Sequence, residues 1–75
     1  MFKINLATIG NVKDFVNVTN AFTGDVTLKS QKYVVDGKSI MGIFSLDLSK
    51  PIEVEITPAD RTEEFKKMAA DFIVG

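Results

Sequence analysis

Apolar and polar residues alternate along this chain at two periods, and the switch between them marks out the elements. Phe2-Lys3-Ile4-Asn5-Leu6 alternates at period two and predicts a half-buried strand with Phe2, Ile4 and Leu6 inward. Thr8-Ile9-Gly10-Asn11 reads as a turn, with Asn11 as helix cap and Asp14 in the favourable first turn. Val12, Phe15, Val16, Thr19 and Phe22 then fall at helical spacing as one stripe, and Gly24 is a natural stop. Asp25-Val26-Thr27-Leu28-Lys29 returns to period two. Ser30-Gln31 is the expected tight turn into Lys32-Tyr33-Val34-Val35, which Asp36-Gly37 ends, so the pair predicts an antiparallel hairpin.

Lys38-Ser39-Ile40-Met41-Gly42-Ile43-Phe44-Ser45-Leu46 reads as a short helix capped by Ser39 and ending around Asp47 to Lys50. Pro51 opens the cleanest strand pattern of the chain, with Ile52, Val54 and Ile56 inward, and Pro58 closes it. Asp60 with Glu63 predicts a capping pair for a last helix that buries Phe65, Met68, Ala69, Phe72 and Ile73. The order is β-α-β-β-α-β-α. It predicts an α+β, open-faced β-sandwich: a four-stranded, mostly antiparallel sheet covered on one face by three helices.

Composition narrows the chemistry. Seventy-five residues make one domain, spanning 1–75. With no cysteine there is no disulfide or thiolate site. A net charge of −1 gives no electrostatic case for nucleic acid or an anionic membrane. No apolar run approaches the ~20 residues of a membrane span, and the alternating N-terminus lacks a signal-peptide core, so the expected compartment is the cytoplasm. The chain has no histidine, which removes phosphohistidine chemistry, histidine acid–base catalysis and histidine metal ligation. No cofactor or metal is expected. Asp14, Asp25, Asp47, Glu53 and Glu55 could on paper be assembled into a carboxylate site, but Glu53 and Glu55 lie on the outer face of one strand and read as solvated.

The 38–46 segment carries more apolar residues than a two-turn helix can bury on one face, so part of it should remain outside as a contact patch. KSIMGIFSL closely resembles the second helix of HPr, the phosphocarrier protein of the bacterial sugar phosphotransferase system. The element order and the hairpin length resemble that family as well. The resemblance implies that Ser39 is a regulatory phosphorylation site and that Ile40, Met41 and Phe44, with Lys38 beside them, form a docking surface. The family's phosphorylation loop is similar to Gly-Ile-His-Ala-Arg-Pro-Ala. Here Thr8 stands at the histidine, Gly10 at the arginine and Asn11 at the proline. Both the phosphoryl acceptor and its arginine are absent, as in divergent, histidine-less members of the Crh type, which keep the serine and bind a transcription regulator.

Each feature has a plainer structural reading. Ser39 can be a helix cap, a kinase substrate, or both. At least two of Ile40, Met41, Ile43 and Phe44 must serve the core. Lys38 is either a phosphate partner or solvated. Thr8 reads as a loop residue, because an unassisted hydroxyl is a poor substitute for imidazole. The expectation is a non-catalytic adaptor that binds proteins (a serine kinase, phosphotransferase-system components or a transcription regulator) and is switched at Ser39. The alternatives are a docking paralogue that is never phosphorylated, or a small ligand-binding or structural module. An exposed apolar patch on so small a domain also suits a homodimer.

Overall fold

The computed structural model describes residues 1–74; Gly75 lies outside the described residues. β1 (Phe2–Ile4), α1 (Ile9–Ala21), β2 (Asp25–Ser30), β3 (Tyr33–Asp36), α2 (Ile40–Phe44), β4 (Ile52–Thr57), α3 (Thr62–Met68) and β5 (Ile73–Val74) follow in order, with short 3-10 turns before and after α3. The sheet runs β3-β2-β4-β1-β5, and every pairing is antiparallel. Its inner face carries Ile4, Val26, Leu28, Ile52, Val54 and Ile56, all at the positions alternation assigns inward and all buried. The helices lie over that face and add Val12, Phe15, Ile43, Phe65 and Ala69 to one core. The α+β open-faced sandwich is the predicted class.

The differences lie at element ends. The sheet has five strands, not four, because Ile73 and Val74 leave the last helical segment and pair with Ile4 and Lys3. The last helix stops at Met68, which is exposed, while Phe72 and Ile73 reach the core from the following turn and strand. The 3.6-residue spacing of these side chains satisfies burial without a continuous helix. Asp60 and Glu63 do not cap it: neither the 3-10 turn Ala59–Arg61 nor α3 has a side-chain cap. Arg61 instead bonds Glu64 at 2.6 Å and Thr23 at 2.8 Å and stacks on Phe22, fastening this corner to the end of α1.

α1 begins two residues before Asn11. Thr8 is its cap, and its Oγ1 accepts the Asn11 N–H at 3.0 Å. Asp14 therefore lies beyond the first turn, and the helix ends at Ala21 with Phe22, buried and extended, as its C-cap, short of Gly24. The hairpin turn is Gln31-Lys32, with Gln31 left-handed at φ 54, so β3 starts at Tyr33 and includes Asp36.

Candidate functional site

The site expected around Ser39 is a corner where β3 turns into α2. Ser39 is extended (φ −102, ψ 111), which aims its Oγ at the first turn of α2, and it accepts the Gly42 N–H at 3.2 Å. Its carbonyl accepts from Ile43 at 3.0 Å, and its N–H donates to the Asp36 carbonyl at 3.1 Å. Ser39 is therefore the expected cap, and it is half-buried. Gly42 makes room for it: a Cβ there would lie 3.3 Å from the Val35 Cβ and 3.4 Å from the Ser39 Oγ, so α2 lies close on β3.

α2 ends at Phe44, earlier than the sequence suggests. The Asp47 carboxylate accepts from the Ser49 hydroxyl and from its N–H at 3.0 Å, making a local turn that replaces a further helical one. Those bonds hold the Asp47 carboxyl below its usual range.

The apolar residues of α2 divide. Ile43 is buried, and Ile40 is half-buried against the core, so Ile40 offers less surface than the sequence suggests. Met41 is 77% exposed and Phe44 41%. At i and i+3 these two are neighbours on one side of the helix and form an apolar patch. No charged residue lies within α2.

Lys38 is half-buried and tied to the protein at two atoms. Its Nζ donates to the Phe22 carbonyl at 2.8 Å, and its N–H donates to the Asp36 carboxylate at 2.9 Å. Thr19 makes a second tie across the same gap: its Oγ1 donates to the Gly37 carbonyl at 2.9 Å from a fully buried position. The two bonds fasten the β3–α2 corner to the far half of α1. Sequence reading placed Thr19 in the apolar stripe but did not foresee its bond. The only signal is a hydroxyl among apolar positions, which needs a buried acceptor.

Thr8 lies at the opposite end of α1. Its hydroxyl is committed to the Asn11 amide, and beside it Ile9 is 64% exposed. The structure thus gives Thr8 a structural task and supplies no histidine to activate it. The carboxylates do not converge: among the described residues no three are grouped to hold a metal ion. Glu55 pairs with Lys29 at 2.8 Å across the outer sheet face, and that hydrogen bond and charge hold its carboxyl below the usual range. Among the described residues no helix is long and apolar enough to cross a membrane.

Comparison with known proteins matches this architecture. The family model described as the PTS HPr component phosphorylation site matches residues 11–72, beginning three residues after Thr8. The HPr-like protein Crh of Bacillus subtilis (strain 168) is 41% identical over 58 residues, 75% of this chain and 68% of that protein. The crystal structure of B. subtilis Crh, described as a catabolite-repression protein in a swapped, intertwined dimer, superposes with a TM-score of 0.67. It is 33% identical, over 91% of this chain and 79% of that one. A match across most of the chain, an HPr-like relative and the shared sandwich together establish that this chain belongs to the HPr family of the phosphotransferase system.

Proposed function

We propose that this chain is a non-catalytic regulatory adaptor of the cytoplasm, related to the phosphotransferase system, which works by binding other proteins and is switched at Ser39. The observation that carries the reading is the absence of histidine from a member of a phosphocarrier family. The carrier step needs an imidazole nucleophile, and the unassisted hydroxyl of Thr8 is no substitute. What the corner retains is a serine beside an exposed apolar patch. The proposed contact surface is Met41 and Phe44, with part of Ile40, and Lys38 holds the corner from beneath through the Phe22 carbonyl. A phosphate on Ser39 adds about −1.5 to −2 charges next to that patch. It acts by changing the surface met by a partner, which supports a serine kinase, phosphotransferase-system components or a transcription regulator as partner classes. The Crh relative is described as a dimer, and self-association belongs to the proposal.

The test is intact mass after incubation with ATP and an HPr serine kinase. The expected result is one added phosphate that is lost in Ser39→Ala, followed by capture of a partner by the phosphorylated form. No added phosphate overturns the switch. The exposure of Met41 beside an unmodified Ser39 favours a second reading, a constitutive docking paralogue. In that case Met41→Glu abolishes capture of phosphotransferase-system components and Ser39→Ala leaves it unchanged.

A further inference from the structure

The sheet has one short edge and one bare edge. β5 covers β1 with two residues, whereas β3 pairs with β2 alone and leaves its other side open. The Gly37 N–H donates to the Val26 carbonyl at 2.7 Å. Antiparallel alternation then places hydrogen-bonded pairs at Leu28–Val35 and Ser30–Tyr33. Val34 and Asp36 accordingly turn their N–H and C=O groups away from β2. The Asp36 carbonyl accepts the Ser39 N–H and keeps a second lone pair; both polar groups of Val34 remain open.

Edge protection on β3 is limited to its shortness and one charge at each end. The strand has no proline or inward-pointing charge, and Tyr33 and Val34 are 60% and 63% exposed. Its charges are Lys32 at one end and Asp36 at the other, opposite in sign. Lys32 takes part in no ion pair among the described residues. Asp36 spends one carboxylate oxygen on the Lys38 N–H.

Lys32-Tyr33-Val34-Val35-Asp36 is thus complementary to itself when reversed. We propose that β3 is a homotypic interface, where two copies of this chain pair edge to edge and antiparallel with Val34 opposite Val34. In that register each Val34 N–H donates to the other copy's Val34 carbonyl, which uses the groups left open. Lys32 stands opposite Asp36 at both ends, flanking the valine pair on the outer face, and Tyr33 packs over Val35 on the helix face. Neighbouring registers lose the charge pairing. Centring on Lys32 sets lysine against lysine, and centring on Asp36 sets aspartate against aspartate. Centring on Tyr33 or Val35 keeps main-chain bonds, to Lys32 or to Asp36 from Val34, but sets Val34 opposite a charged residue and loses both Lys32–Asp36 pairs. The inference rests on the sheet alone and is independent of the Ser39 reading.

Sedimentation over a concentration series, with amide exchange read by NMR on the same samples, tests it. The expected result is a mass rising toward twice 8.3 kDa while the Val34 and Asp36 amides gain protection in step. Lys32→Glu, an exposed change that sets like charges opposite each other, should raise the dimer Kd about tenfold. A monomer at concentrations of about 1 mM overturns the proposal. So does a dimer whose Val34 amide exchanges freely, as expected for a segment-exchanged dimer like that described for the Bacillus relative, or one that Lys32→Glu leaves unchanged.

Discussion

Two hydroxyls open two helices in this protein, each as an N-cap. Thr8 accepts from Asn11 at 3.0 Å, and Ser39 accepts from Gly42 at 3.2 Å. An N-cap bond of this kind is worth about 1 kcal/mol. Thr8→Ala is expected to lower unfolding free energy by about that amount while leaving capture of any partner at the α2 patch unchanged; urea titration beside a pull-down checks both halves. Ser39→Ala carries the same structural cost, so a functional comparison needs Ser39→Asn or Ser39→Asp as a cap-preserving control. Side-chain size matters equally at Gly37. A Cβ there would lie 2.5 Å from the Val26 Cγ1 and 3.1 Å from its carbonyl oxygen, so the turn into α2 passes the sheet more closely than any larger residue allows.

At the scale of elements, the two faces of the sheet are held by different forces. Burial dominates inside, where fully buried residues alternate with half-buried ones along both β4 and β2. Outside, Lys29 of β2 reaches diagonally to Glu55 of β4. The hydrogen bond from Lys29, then its charge, lowers the folded pKa of Glu55. A lowered carboxylate pKa contributes stability that is fully present above the unfolded value of about 4.3 and is lost as pH falls through the folded value. The native protein is therefore expected to lose stability more steeply than Glu55→Gln between neutral pH and acid, with the two curves converging at the acid end. Thermal unfolding at stepped pH reads this directly, and added salt should shrink the difference because both groups are partly exposed to solvent.

At the scale of the molecule, phenylalanine joins the layers. Phe65 of α3 packs 5.1 Å from Phe22, 6.1 Å from Phe15 and 6.2 Å from Phe2, ring centre to ring centre. Phe72 meets Phe15 at 5.5 Å nearly edge-on. A single buried ring thus connects β1, the middle and the C-terminal end of α1, and α3. Phe65→Ala removes that connection and should cost about 3–5 kcal/mol, against a total of about 5–15 kcal/mol for a domain. The variant should be largely unfolded at 37 °C by circular dichroism. Met41→Ala, a change on the exposed side of α2, should leave the melting curve in place.

What was legible in the sequence was whatever depends on spacing between near neighbours. Period two marked the inward positions of β2 and β4, period 3.6 marked Val12, Phe15 and Thr19, and the serine before an apolar run marked the α2 cap. The absence of histidine was decided outright by composition, and the proposed loss of the carrier step rests on it. Spacing cannot say how far an element extends, since a helix and a helix followed by a turn can bury the same side chains. That is why Phe72 and Ile73 were placed on a helix and the fifth strand was missed. Nor can it distribute one apolar cluster between core and surface. Met41 and Phe44 point outward, and Ile40 half inward, because α2 lies against β3 at Gly42. Lys38 and Thr19 found their acceptors across 16 and 18 residues of chain, at the Phe22 and Gly37 carbonyls. Such bonds exist only once the helix and the sheet are brought together, because a buried donor takes whichever acceptor the packing presents.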